Sequence, residues 1–282
     1  MSRGTPRLSN PRTAAFYNGG AQCSAACGTD ATDDPAPALA WWARLAGLAR
    51  RQAQRLLPQC CALCVAPVPE GLICDACLAA LPTLDPACPR CALPVPGGNV
   101  CGACLADPPP FEATLAAHAY AFPVDRLLQA LKYQGRLALG EWAGVALAQR
   151  VRQALPERSL RERTPLLVPL PLSAARQRER GFNQAQLIAA AAARALALPL
   201  ADALARPRAT APQAGLPWQE RLRNVRGAFV ARRRLDGRDV VLVDDVMTTG
   251  ATLRAAAVAA TAAGARRVDC WVVARTLPPR PP

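Results

Sequence analysis

Lysine and histidine are almost absent from this 282-residue chain: Lys132 is its one lysine and His118 its one histidine. A lone imidazole excludes His-rich metal sites, and Ser-His-Asp or Cys-His catalytic sets would need a better-placed one. The setting of His118, LAAHAYAF, reads as a strand. Aromatic residues make up only 5% of the chain, too few for an extended base-stacking platform. There is no apolar run of about 18 residues, the length a membrane-spanning helix needs. The alanine-rich stretch from Leu187 to Leu200 is interrupted by Arg194 and Pro199. The opening MSRGTPRLSNPRTAAF carries basic residues with no apolar core behind them, which argues against a secretory leader. No membrane span is expected, and a cytoplasmic location is.

What is abundant is cysteine, twelve in all, with nine crowded between Cys60 and Cys104. Four CxxC pairs, Cys61/Cys64, Cys74/Cys77, Cys88/Cys91 and Cys101/Cys104, are separated by nine, ten and nine residues. This is a tandem duplication of one unit. Two such knuckles offer four thiolates, the tetrahedral set of a closed structural zinc site, with no position left open for catalysis. A segment this poor in large apolar residues lacks a core of its own, so metal binding, worth on the order of 10 kcal/mol in zinc peptides, would supply its folding free energy. The simplest assignment puts one zinc on Cys61, Cys64, Cys74 and Cys77 and a second on Cys88, Cys91, Cys101 and Cys104. Interleaved pairing remains the alternative. Redox motifs rarely come four in a row, and knuckle pairs favour zinc over an iron–sulfur cluster. Cys23 and Cys27 have no partners at metal-site spacing, and Cys270 reads as a buried strand residue.

The formal net charge is +14. Between Arg150 and Arg234 seventeen arginines face five acids, which implies a phosphate-rich partner, whether a small substrate, nucleic acid or both.

Residues 1–38 are Gly-, Pro-, Ser- and Asp-rich without periodicity and read as a disordered tail. Residues 39–57 space Leu39, Trp42, Leu45, Leu48 and Leu56 as an amphipathic helix. The cysteine module occupies 58–106, and Asp107-Pro-Pro-Pro110 reads as a stiff linker to a domain over 111–278. In that domain strands are expected at Thr114–Phe122, Pro165–Leu170, Ala228–Ala231, Val240–Val243 and Val268–Ala274. Helices are expected at Val124–Tyr133, Leu139–Leu155, Phe182–Ala197 and Ala251–Ala263. This alternation predicts an α/β fold with a parallel sheet that binds ligand at the carboxyl ends of its strands.

VVLVDDVMTTGATL, Val240 to Leu253, carries the sharpest chemical signal. A buried strand runs into two carboxylates, Asp244 and Asp245, suited to accept hydrogen bonds from the vicinal hydroxyls of a ribose. After Val246, the turn Met247-Thr248-Thr249-Gly250-Ala251-Thr252 presents amides, hydroxyls and a helix amino terminus to a phosphate dianion. Order and spacing fit a ribose 5-phosphate held end to end.

This segment resembles the motif by which type I phosphoribosyltransferases bind 5-phosphoribosyl 1-pyrophosphate (PRPP). LKYQGRLALGEWAG (Leu131–Gly144), VPLPLSAARQRERGFNQAQLIA (Val168–Ala189) and ATAPQAGLPWQERLRNVRGAF (Ala209–Phe229) extend the resemblance to the ComF family, from about Leu57 to Leu277. Its members couple a double zinc ribbon to a phosphoribosyltransferase-like domain.

The resemblance implies that the arginine-rich turn Ser173, Arg176, Arg178, Arg180 and Gly181 grips pyrophosphate. Asn183 would cap the next helix or touch ligand. Gln213, Arg221 and Asn224 would lie on a mobile segment, and Lys132 matches a basic position. It further implies magnesium bound with PRPP, catalytic roles for Asp244 and Asp245 in phosphoribosyl transfer, and a place in natural competence or DNA uptake. The alternative is a non-catalytic, PRPP-sensing protein that binds single-stranded DNA and works with competence or recombination proteins. A purely structural zinc adaptor would leave the Asp-Asp-to-Thr-Thr-Gly motif without a use.

Overall fold

Val240–Val243 are all buried and lie at the centre of a four-stranded sheet. The computed structural model describes residues 59–69, 71–207 and 227–278. The expected tail (1–38), the amphipathic helix (39–57), Gln213, Arg221 and Asn224 lie outside the described residues.

The cysteine segment opens with a small antiparallel pair, β1 (Gln59–Cys60) and β2 (Pro67–Val68). The second CxxC of each repeat starts a short helix, α1 (Asp75–Ala79) and α2 (Gly102–Ala106), with Cys74 and Cys101 at the N-caps. There follow β3 (Thr114–Ala119), α3 (Val124–Gln134), α4 (Ala138–Ala154) and α5 (Glu157–Arg163). Next come β4 (Leu166–Pro169), α6 (Ala174–Arg180) and α7 (Gln184–Leu196). A small pair, β5 (Leu204–Ala205) and β6 (Val230–Ala231), precedes β7 (Asp239–Met247), α8 (Ala251–Ala262) and β8 (Arg267–Arg275).

The main sheet has the order β3-β8-β7-β4, with every pair parallel, as the alternation of elements predicted. Parallel strands need cover on both faces, and alternate residues go to opposite cores. Leu167, Val241, Val243, Trp271 and Val273 pack with α3, α4 and α7. Leu166, Val168, Val240, Leu242, Cys270 and Val272 pack with α8. Helices α4 and α7 cross closely because Gly144 has no side chain: a Cβ there would lie 2.4 Å from the Ile188 carbonyl oxygen.

The cysteine repeats part company on this frame. Cys61, Val68, Ile73 and Leu81 join the core of α3, α4 and α7, whereas Leu84, Cys88, Cys91 and Cys104 join the core of α8. The module therefore has apolar support beyond its metal sites, from two different cores. The Asp107 side of the Pro-rich segment is pinned by Arg254 of α8, which donates to the Asp107 carbonyl (2.8 Å) and pairs with its carboxylate (3.2 Å).

Helix α5 and strand β5 were not expected, β3 ends at Ala119 short of the expected Phe122, and two further differences bear on the site. The buried run Val240–Val243 continues as a strand through both acids to Met247, because β8 keeps pairing with it in unbroken register to Met247↔Arg275. The supposed arginine-rich turn is helix α6. Ser173 caps it by accepting from the Arg176 N–H (3.4 Å), Gly181 closes it at φ +76, and the Ala, Arg, Gln and Glu residues between are good helix formers.

Candidate functional site

The eight cysteines form two clusters, Cys61/Cys64/Cys74/Cys77 and Cys88/Cys91/Cys101/Cys104, each with its sulfurs within 4.8 Å of one another. Sequential pairing therefore holds and interleaving does not. Zinc–sulfur bonds of about 2.3 Å at tetrahedral angles require sulfurs roughly 3.8 Å apart. Cys64 and Cys74 stand at 3.6 Å, as do Cys91 and Cys101. Both clusters repeat one polar device: the Cys74 N–H donates to Cys61 Sγ (3.4 Å) and the Cys101 N–H to Cys88 Sγ (3.3 Å). Burial alone would raise these thiols. Backbone N–H groups overcome it, bringing Cys61 down to about 6 and Cys88 to about 7, so a thiolate is ready for a cation. The donor set fits structural zinc in both clusters.

At the far side of the chain's economy of acids lies the carboxyl end of β7. Strand β4 stops at Pro169, opposite Val243, with the Leu170 N–H donating to the Val243 carbonyl (2.9 Å). Beyond that point, among the described residues, β7 pairs only with β8. Asp244 and Asp245 occupy this unpaired edge and diverge with strand alternation. Asp245 meets Lys132, in the last turn of α3, at 3.0 Å. Burial would lower the Lys132 ammonium, but the Asp245 charge holds it above its ordinary value.

Asp244 is half-buried and accepts from the Asp245 N–H (2.9 Å). Burial and then the Asp245 charge push its carboxyl up to about 7, while Lys132 and Arg206 oppose the rise. Two acids thus share one lysine at an open strand end, and Asp244 holds a proton loosely near neutrality.

The strand then enters the turn Thr248–Thr249–Gly250. Gly250 adopts φ +78 at the N-cap of α8, where a Cβ would approach the Met247 methyl to 2.6 Å. The Thr249 hydroxyl accepts from the Ala251 N–H (3.3 Å), and the first backbone bond of the helix runs from the Arg254 N–H to the Gly250 carbonyl (2.8 Å). The structure thereby brings Asp244 through Thr252 together as one continuous strand end, turn and helix start. Met247 is buried, Thr248 is exposed, and Val246 and Thr252 are partly exposed.

Helix α6 follows β4, the strand beside β7. Arg176 and Arg178 are exposed; Arg178 donates to the Ala174 carbonyl of its own helix (3.3 Å), and Arg180 lies over the Tyr133 ring at 5.3 Å. Asn183 is committed to structure: its Oδ1 caps α7 at the Ala185 N–H (3.0 Å) and its Nδ2 donates to the Leu170 carbonyl (3.0 Å). His118 is a β3 residue stacked on Trp142 with ring centroids 6.2 Å apart, and burial lowers its basicity.

Two residues passed over in the sequence reading belong to this region. Arg206 stands in the electrostatic reach of both Asp244 and Arg176. Arg275, at the end of β8, is 5% exposed and donates to the Met247 carbonyl. Position at a strand's carboxyl end was the signal that could have singled out Arg275.

Comparisons with known proteins agree with this layout. The family model described as double zinc ribbon domain matches residues 53–105, and that described as phosphoribosyl transferase domain matches residues 183–280. The chain is 35% identical over 177 residues to the DNA utilization protein YhgH of Escherichia coli (strain K12), covering 60% of this chain and 74% of that one. It is 32% identical over 161 residues to competence protein F of Haemophilus influenzae, covering 55% and 69%. Against competence protein ComFC of Bacillus subtilis it is 38% identical over 92 residues, covering 33% and 36%. With two cysteine clusters built for zinc, a parallel sheet ending in the Asp-Asp-to-Thr-Thr-Gly segment, and these relatives, the chain belongs to the ComF family.

Proposed function

We propose that the chain binds PRPP at the carboxyl end of β7 and transfers its phosphoribosyl group with magnesium. One observation carries the reading: two carboxylates, Asp245 paired with Lys132 and Asp244 within reach of Lys132 and Arg206, stand where β4 has ended, directly before an amide-lined turn. The turn Thr248–Thr252 would take the 5-phosphate on its N–H groups and hydroxyls. Asp244 would accept from a ribose hydroxyl, with Asp245, braced by Lys132, beside it. Arg176, Arg178 and Arg180 of α6 suit the pyrophosphate, since guanidinium groups donate in forks to phosphate oxygens.

In the reaction, the bond from the anomeric carbon to the pyrophosphate oxygen breaks and its electron pair leaves with pyrophosphate. The ring left behind carries positive charge until the lone pair of an acceptor base's nitrogen forms the new bond at the anomeric carbon and the acceptor's proton passes to solvent. Asp244 and Asp245 would stabilise that charge while the α6 arginines stabilise the departing anion. Magnesium held by the substrate's oxygens, with Asp244 and Asp245 as the nearby carboxylates, would supply neutralisation of leaving-group charge.

A second reading has its own support. Arg176 and Arg178 are exposed, and the relatives carry names for DNA utilisation and competence. PRPP would then act as a signal for a cytoplasmic protein that contacts single-stranded DNA. Titrating the purified chain with PRPP and magnesium, then assaying pyrophosphate release against a panel of bases and single strands, separates the two. Saturable PRPP binding with base-dependent release supports the enzyme; saturable binding with salt-sensitive oligonucleotide binding and no release supports the sensor. An absence of saturable PRPP binding refutes both.

A further inference from the structure

The two cysteine clusters have the same ligands and spacing, yet only one is wired to the turn after β7. The wire is Arg275. Its side chain is 5% exposed, with no carboxylate among its hydrogen-bond partners. Nε donates to the Cys91 carbonyl (2.7 Å), inside the second cluster's first knuckle. Nη1 donates to the carbonyls of Met247 (2.9 Å), Thr248 and Thr276 (2.9 Å). One guanidinium therefore joins a cysteine knuckle to the first residues of the phosphate turn. A buried guanidinium needs hydrogen-bond acceptors, and here they are four backbone carbonyls, those of Cys91, Met247, Thr248 and Thr276.

Among the described residues, Arg275 is the side chain that donates to the Met247 and Thr248 carbonyls. Beside it lies a cavity of about 620 Å³ lined by Cys91, Cys104, Met247, Thr248, Arg275 and Thr276, among others. Strand pairing sets the same spot from the other side, with the Thr276 N–H donating to the Met247 carbonyl (3.0 Å). The first cluster is different. It packs with α3, α4 and α7, and among the described residues no hydrogen bond joins residues 61–77 to residues 244–252.

We propose that Arg275 is a positioning residue that makes the metal state of the second cluster, and not the first, set the order of the turn Thr248–Thr252. The functional meaning rests on the reading that this turn holds a phosphate; the structural coupling does not. The test is hydrogen exchange at the amides of residues 248–252 in the full chain, with zinc content measured in parallel. Four proteins are compared: the unaltered chain, Arg275→Lys, Cys101→Ser and Cys74→Ser.

Cys101→Ser and Cys74→Ser should each lose about one zinc equivalent. Only Cys101→Ser should speed exchange at the turn, by about tenfold, the size expected for losing one hydrogen-bonded anchor. Arg275→Lys should keep both zincs and show the fast turn. Equal acceleration in the two cysteine variants, or a turn at the unaltered rate in a folded Arg275→Lys, would overturn the inference. If Arg275→Lys loses protection throughout β7 and β8, it has failed to fold, and the cysteine pair decides alone. PRPP titration of the same proteins keeps the two claims apart: no binding by the unaltered chain defeats the proposed function, while the exchange contrast still settles the coupling.

Discussion

Strand β7 carries acids near both ends, and the two ends treat them in opposite ways. At its amino end Asp239 is 6% exposed and is held by Arg163 (2.8 Å) and Arg266 (2.9 Å). Its neighbour at the start of β8, Asp269, is held by Arg163 (2.8 Å) and Arg267 (3.0 Å). Three guanidinium groups serve two carboxylates. Burial would raise Asp239, but these partners bring it below its ordinary value. At the carboxyl end Asp245 has Lys132, and Asp244 is pushed up to about 7. An acid with saturated partners holds a fold together, whereas an acid whose charge is resisted by burial at a strand's carboxyl end is equipped to receive a ligand.

Breaking the carboxyl end should produce the largest effect. Asp244→Asn combined with Asp245→Asn should weaken PRPP binding by at least about a hundredfold while zinc content stays unchanged, as equilibrium dialysis and metal analysis would read. Breaking the amino end should move stability: Arg163→Met should cost on the order of 3 kcal/mol in denaturant unfolding, with PRPP affinity within about twofold of the original. Replacing Arg176 and Arg178 together by alanine should weaken PRPP binding by about tenfold and flatten its dependence on salt.

The smallest effect sharpens the comparison through pH. The carboxyl of Asp244 titrates at about 7 in the folded chain against 3.8 ordinarily, so the folded state holds the extra proton between these values. Its contribution to stability therefore declines as pH rises from about 4 to about 7. Asp239 runs the other way, adding stability above 3.8 that is lost as pH falls through its lowered value. PRPP affinity should rise severalfold as pH passes upward through about 7, because a ribose hydroxyl donates to the ionised Asp244. Asp244→Asn should remove that rise in a binding titration run across pH.

The sheet was legible because Val240–Val243 and Cys270–Ala274 are unbroken apolar runs of strand length, separated by the alanine-rich segment from Ala251. Sequential pairing of the cysteines was the simplest reading, and the geometry selects it over interleaving. Other features had no local signal. The spacing of CxxC pairs is the same in both repeats, so nothing in it tells that one repeat faces α3 and the other α8. Helix α6 was hidden by Pro171 and by the short length of Ala174–Arg180, although Ser173 and Gly181 were legible caps. Asp239 and Asp269 sit among ordinary-looking charges in LDGRDV and RRVDC, and only the parallel pairing of β7 with β8 brings them to Arg163, 76 and 106 positions away. Arg275 gained its role the same way, from a knuckle 184 positions earlier in the chain.

The most direct measurement is a side-by-side calorimetric study of Asp244→Asn and Asp239→Asn, each titrated with PRPP and magnesium and each melted without ligand. Loss of the binding heat with an undiminished melting temperature for the first, and retained affinity with a lowered melting temperature for the second, is the predicted result. Full PRPP affinity in Asp244→Asn would contradict the account.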